Sequence, residues 1–280
     1  RLEMARLIVD PSNPLTARVL VNRIWMHHFS KPLVNTPSDF GARSQPPTHP
    51  QLLDALAWQF VQQGWSIKTL HRMILLSSVY RQSSDDNPKH RAIDPENRLL
   101  WNMPRRRLDF EAMRDSMLCV SGRMDRTMQG RPVDLIKQPH SARRTVYGFV
   151  NRNNLPSLFR IFDFANPDAS TGRRSNTTVP QQALFAMNSP FVIEQADRLA
   201  SHPDITSRQN DAEKIRALYR RVLSRDPHPE EISLAVRFIH NTSAPDTGVS
   251  GPQNKNDSKM NPWSRFAQIL LLTNEFLFLD

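Results

Sequence analysis

The chain has 280 residues, room for one large domain or two small ones, and its 39% hydrophobic and 23% charged residues exclude a disordered polar chain. Glycine is scarce, and no GxxxxGK[ST] or GxGxxG pattern occurs, which excludes a nucleotide-cradling loop. The single cysteine, Cys119, excludes an internal disulfide, a thiolate zinc site and a CxxCH haem attachment, while a net charge of +10 suits an acidic partner: nucleic acid, anionic glycan, anionic lipid or acidic protein.

Helix signals dominate the chain. "NPLTARVLVNRIWMHHF", residues 13–29, predicts a helix with Asn13 as N-cap and Pro14 in its first turn. Thr48 and Gln51 fit a capping box for "LLDALAWQFVQQ", which should stop at Gly64. Ser66 caps "IKTLHRMILLSSVYRQ", and "SSDDNPKHRAIDPEN" reads as a loop. Asp109 caps "FEAMRDSMLCV", which should end before Gly122 and bury Cys119 as an inert thiol.

Residues 122–142 lack periodicity, and "RRTVYGFV", 143–150, is the best strand candidate. Thr178 is expected to cap "VPQQALFAMN", and Pro190 to start "FVIEQADRLA". "AEKIRALYRRVL" is amphipathic, and Asp226 precedes a helix with an acidic first turn. The organisation is therefore a helical domain over 1–240, with a subdivision near 122–142 left open, a flexible loop or linker over 241–260, and a C-terminal helix over 261–280 packing back. The fold class is mainly α, a single multi-helix domain with at most a short β-strand pair. No apolar run reaches the ~18 residues a membrane span needs.

On a helical wheel the 13–29 segment is apolar nearly all round, so it is expected to be buried. Arg18 and Asn22 lie between apolar neighbours and need partners, a carboxylate or several carbonyls for Arg18. They either fasten this helix into the core or line a polar pocket with Arg23, Asp39, Arg107, Asp109 and Glu111. His27 and His28 point about 100° apart, which speaks against a shared metal, and no metal site is expected. His71 is expected to be a satisfied core histidine.

Glu111 and Asp115 are i,i+4 neighbours that could do acid–base work or pair with Arg105, Arg106 and Arg107. Arg173 and Arg174, ahead of a helix start, form a candidate anion-binding pair or a basic surface loop. No nucleophile elbow or HExxH appears, and no complete nucleophile–base–orienter set can be read, so no reaction is assigned.

Several stretches taken together carry a resemblance: "NPLTARVLVNRIWMHHF", "TPSDFG", "HPQLLDALAWQFVQQGWSIKTLHRMILLSSVYRQSS", "NRLLWNMPRRRLDFEAMRDSML", "RRTVYGFVNR" and "TTVPQQALFAMNSPFV". In this order they resemble a planctomycete-specific domain of unknown function that ends large envelope proteins, preceded by haem-binding cytochrome-c-like domains. Arg18, Asn22, Arg23, Trp25, Asp39, Gly41, Arg107, Asp109 and Pro180 fit its motifs, and no catalytic role travels with them. The resemblance implies a secreted or envelope location and haem in a partner domain, since this chain holds none covalently.

Three functions compete. The first is a non-catalytic module docking to a haem-containing domain of its parent protein or to an acidic polymer. The second is a hydrolase of anionic polysaccharide using carboxylates such as Asp39, Asp109, Glu111 or Asp163, which needs two of them facing one cleft roughly 5–9.5 Å apart. The third, nucleic-acid binding, rests on charge alone, and scattered basic residues with no like-charged block speak against it.

Overall fold

The computed structural model describes residues 1–243 and 260–279, and the linker expected at 241–260 lies mostly outside them. The fold is mainly α, with one pair of two-residue strands, and the chain divides into two compact units. Unit 1 comprises 1–106 with 169–174 and residue 280; unit 2 comprises 107–168 and 175–279.

Unit 1 holds α1 (Leu2–Ile8), α2 (Thr16–Phe29), α3 (Pro50–Gln62), α4 (Ile67–Leu76) and α5 (Pro88–Ile93). α1 buries no residue; it is tied down at its end, where Thr16 Oγ1 donates to the Ile8 carbonyl at 2.7 Å. α2 starts later than Asn13 predicts. The Asn13 carboxamide accepts from Leu15 N–H at 2.9 Å, closing a turn ahead of the helix instead of capping it. The core of the unit is the buried side of α2, where Trp25 stacks on Phe29 with ring centroids 4.2 Å apart, packed with Leu53, Leu56 and Phe60 of α3 and Leu70 and Ile74 of α4.

The capping box expected at α3 is not formed: Thr48 N–H donates to the Leu33 carbonyl, and His49 takes the N-cap position. The end of α3 follows the sequence. Gly64 adopts φ +68°, Gly64 N–H donates to Val61 and Trp65 N–H to Phe60, the paired bonds of a Schellman motif. The accompanying apolar contact is Phe60 against Trp65, at 5.2 Å between centroids. Ser66 caps α4 as expected, accepting from Thr69 N–H.

Unit 2 holds α6 (Phe110–Val120), α7 (Ser157–Ile161), α8 (Pro180–Asn188), α9 (Pro190–Ala200), α10 (Pro203–Thr206), α11 (Asp211–Leu223), α12 (Pro229–Ser243), α13 (Pro262–Leu271) and α14 (Asn274–Leu277). The strands β1 (Arg106–Arg107) and β2 (Phe278–Leu279) pair, and Leu108 N–H donates to the Leu277 carbonyl at 2.8 Å. The core gathers Met117 and Leu118 of α6, Val192 and Leu199 of α9, Ile215 and Leu218 of α11, and Leu271 of α13. α9 and α13 each bury an alanine, Ala196 and Ala267, and small side chains let packed helices approach closely. The C-terminal run does not continue as one helix: Thr273 accepts from Phe276 N–H and restarts it as α14.

Three expectations change in this unit. Residues 143–150 form no strand; Thr145–Tyr147 is a 3-10 turn, with isolated bridges at Arg143 and Gly148. Side chains of α6 capture this backbone first. Asp115 accepts from both Thr145 N–H, at 2.7 Å, and Thr145 Oγ1, at 2.6 Å. Thr178 does not cap α8, whose N-cap is Val179. Cys119 is exposed, because α6 buries Phe110, Met113, Arg114, Met117 and Leu118, a face that the next residue leaves.

Candidate functional site

Two of the expected polar residues of α2 have separate fates. Asn22 is 0% exposed, and its carboxamide donates to the Val34 carbonyl at 3.1 Å while accepting from Val34 N–H at 2.9 Å. It thus satisfies both main-chain groups of a buried loop residue, as a strand neighbour would. Arg18 is not buried. Its Nε donates to Asp54 Oδ1 at 2.7 Å in a pair whose side chains are 36% and 54% exposed, and its Nη1 donates to the Pro14 carbonyl. Arg23 is exposed.

Asp39 turns inward on its own loop, its Oδ1 accepting from Gly41 N–H at 2.8 Å, and Asp163 accepts from Thr177 N–H at 2.7 Å and from Thr177 Oγ1. Arg107 donates to Gln182 Oε1, Asp109 is the N-cap of α6, and Glu111 lies in its first turn. Arg18, Asn22, Arg23, Asp39, Arg173 and Arg174 belong to unit 1, and Arg107, Asp109 and Glu111 to unit 2. Among the described residues, no group of three or more His, Cys, Asp or Glu could hold a metal ion, and no helix is long and apolar enough to cross a membrane.

The site that unit 1 does build lies on α4. Lys68, His71, Arg72, Leu75 and Leu76 line an open cleft of about 360 Å³. The helix places them there because Leu70 and Ile74 face the core, which turns 68, 71, 72, 75 and 76 outward as one stripe at helical spacing. His71 is held from below: its Nδ1 and His28 Nε2 are 2.7 Å apart, and Tyr80 meets the His28 ring edge-on at 5.5 Å. The two histidines satisfy each other, one donating and one accepting.

Burial lowers the pKa of His28 below its ordinary value, and the neighbouring charges of His71, Arg106 and His27 lower it further. Every charged neighbour acting on His28 is thus a cation or a histidine. Arg106 in turn donates to the His27 carbonyl at the C-terminal end of α2, where a cation meets the negative end of the helix dipole. Unit 1 as a whole carries 16 Lys and Arg against 9 Asp and Glu, whereas unit 2 carries 21 against 18, so most of the positive surplus belongs to unit 1. Beside the cations, Leu75 and Leu76 are 39% and 63% exposed. Sequence reasoning placed His71 in the core, whereas it lines the cleft half-buried. The missing information was the packing angle of α4, which periodicity alone leaves open by about one residue.

In unit 2 the buried Arg114 and the Glu194 and Arg225 clusters are fasteners. Arg114, 2% exposed, donates to the carbonyls of Ser141 and Arg143 and to Thr145 Oγ1, and lies 4.9 Å from the Phe191 ring centre. Burial lowers its pKa to about 10, so the guanidinium remains charged at neutral pH. Arg123 and His140 converge on Glu194, and Arg225 grips Glu231 and Glu275 together.

A family model described as a protein of unknown function (DUF1553) matches residues 1–239. No curated protein and no solved structure matches the chain.

Proposed function

The chain belongs to the DUF1553 family of proteins of unknown function, and from that premise we propose that it is a non-catalytic docking module whose first unit binds an acidic protein domain through the outer face of α4. The observation that carries this reading is the pairing of Lys68 and Arg72 with exposed Leu75 and Leu76 along one cleft. Cations around an apolar centre are the composition of a protein–protein contact, where desolvated aliphatic groups supply affinity and charges supply orientation and on-rate. An anionic polysaccharide would satisfy the cations and leave the leucines in water. The partner that the sequence resemblance offers is a haem-bearing cytochrome-c-like domain of the same parent protein, in a planctomycete envelope or secreted setting.

The test is binding of the full chain to an acidic c-type cytochrome domain and, in parallel, to polygalacturonate, followed by titration calorimetry at low and physiological salt. The double variants Lys68→Glu/Arg72→Glu and Leu75→Ser/Leu76→Ser alter only the outer face of α4. Both should weaken cytochrome binding at least tenfold, and binding should fall with salt. Full binding by either variant overturns the proposal. Equal retention of polygalacturonate by the leucine variant, with no cytochrome binding, replaces the protein partner with an acidic polymer.

A further inference from the structure

Unit 2 contains a second cationic cleft, which the sequence reading did not single out. Asp204, Arg208, Glu213, Arg216, Ala217, Arg220 and Arg221 line an open space of about 340 Å³ beside α10 and α11. Two of its four arginines are fixed by partners. Arg221 donates through Nη1 to Asp204 Oδ2 at 2.9 Å and through Nε to the Val120 carbonyl, and Arg220 grips Asp226 through Nε and Nη2. The other two are not neutralised in this way. Arg208 uses only Nε, on the Asp204 carbonyl at 3.1 Å, and Arg216 acts on Asp226 as a neighbouring charge, with no side-chain hydrogen bond to it.

Arg216 and Arg220 are i,i+4 neighbours on the solvent side of α11, an arrangement in which like charges repel. Arg208 adds a third guanidinium at the same cleft. The carboxylates that line it are Asp204, already engaged by Arg221, and Glu213. The guanidinium fork matches tetrahedral oxyanions and carboxylates in geometry, and Arg220 and Arg221, held by their own partners, frame the cleft around Arg208 and Arg216. Ala217 is the sole apolar residue among the lining groups, and the rest of the cleft's apolar surface comes from the stems of its long side chains.

We propose that this cleft is an oxyanion site for the phosphate or sulfate group of a sugar-sized ligand, with Arg208 and Arg216 as the principal donors and Glu213 as the residue that limits affinity. The volume accommodates one charged group with part of a sugar ring, at the lower end of ligand-binding clefts. This site is separate in its residues from the α4 surface, so the two readings fail independently.

The experiment is titration calorimetry of the full chain with inorganic phosphate and inorganic sulfate, then with glucose 6-phosphate, glucose 6-sulfate and uncharged glucose. Arg208→Ala and Arg216→Ala should each weaken anion binding at least fivefold, and Glu213→Gln should tighten it severalfold. Arg237→Ala, an arginine of α12 outside the cleft, should leave it unchanged. Because Arg208, Glu213 and Arg216 are exposed, their replacement leaves the core intact, and unchanged far-ultraviolet circular dichroism checks this. Preference between the two sugar esters identifies which anion the cleft selects. Equal loss in Arg237→Ala, or wild-type binding by Arg208→Ala and Arg216→Ala, overturns the proposal.

Discussion

Replacing Asn22 by alanine removes the fastener between α2 and the loop at Val34. Both main-chain groups of Val34 lose their partner, and Val34 is 3% exposed, so water does not take over readily. An orphaned buried donor or acceptor costs about 1–3 kcal/mol, so the pair costs ~2–6 kcal/mol, a large share of the ~5–15 kcal/mol that holds a typical domain folded. The assay is urea unfolding at 25 °C followed by tryptophan fluorescence. Four of the five tryptophans, Trp25, Trp58, Trp65 and Trp101, lie in unit 1, so the signal reports the unit that is perturbed. Asn22→Asp serves as an internal control. Its ionised carboxylate still accepts from Val34 N–H but opposes the Val34 carbonyl, whereas its protonated form can donate to that carbonyl. The folded pKa of the new carboxyl is therefore raised above ~3.9, so its stabilising contribution is present at low pH and lost as pH rises through the folded value. The stability gap to wild type should widen in that direction. A cost below about 0.5 kcal/mol for Asn22→Ala, the scatter of neutral surface changes, would refute the fastener argument.

Arg225→Ala should cost about 1–2 kcal/mol at neutral pH, because one guanidinium bonds two carboxylates, Glu231 at 2.8 Å and Glu275 at 2.8 Å, and about a third of it is in water. The hydrogen bond from Arg225 holds Glu231 at a pKa of about 2, below its ordinary 4.5, so this stability is present above 4.5 and is lost as pH falls from 4.5 towards 2; a denaturation series over that window checks it. Arg114→Met should cost about 1–3 kcal/mol in thermal or chemical unfolding, since it leaves the half-buried carbonyls of Ser141 and Arg143 without their donor. Burial and the neighbouring charges of His71, Arg106 and His27 lower the pKa of His28, so the unfolded chain takes up that proton first and stability declines as pH falls below the ordinary 6.5. His28→Gln should flatten that decline, as read from unfolding midpoints between pH 7.5 and 5.5.

What the sequence determined by itself is local. Gly64 and Gly122 end α3 and α6 because only a residue tolerant of positive φ closes those Schellman turns, and both are found at φ +68° and +75°. Pro190 and Ser66 begin helices for equally local reasons, and the alternation of helices with one short strand pair sets the mainly α class. Competition between partners far apart in sequence was not legible. Asn13 and Thr48 look like caps, yet a turn takes the one and the Leu33 carbonyl the other. Residues 143–150 have the composition of a strand, yet Asp115 and Arg114 of α6 claim their backbone before a neighbouring strand can.

The candidate sites divide in the same way. That Asn22 needed a buried partner was written in its apolar surroundings, and the identity of that partner, Val34, was set by a loop closing over α2. The α4 cleft depends on which degree of rotation buries Leu70 and Ile74 and so exposes Leu75 and Leu76 between Lys68, Arg72 and His71. Periodicity fixes that two faces exist; only packing against α2 and α3 decides which residues at their border meet water, because burial is a property of the assembled core rather than of the helix.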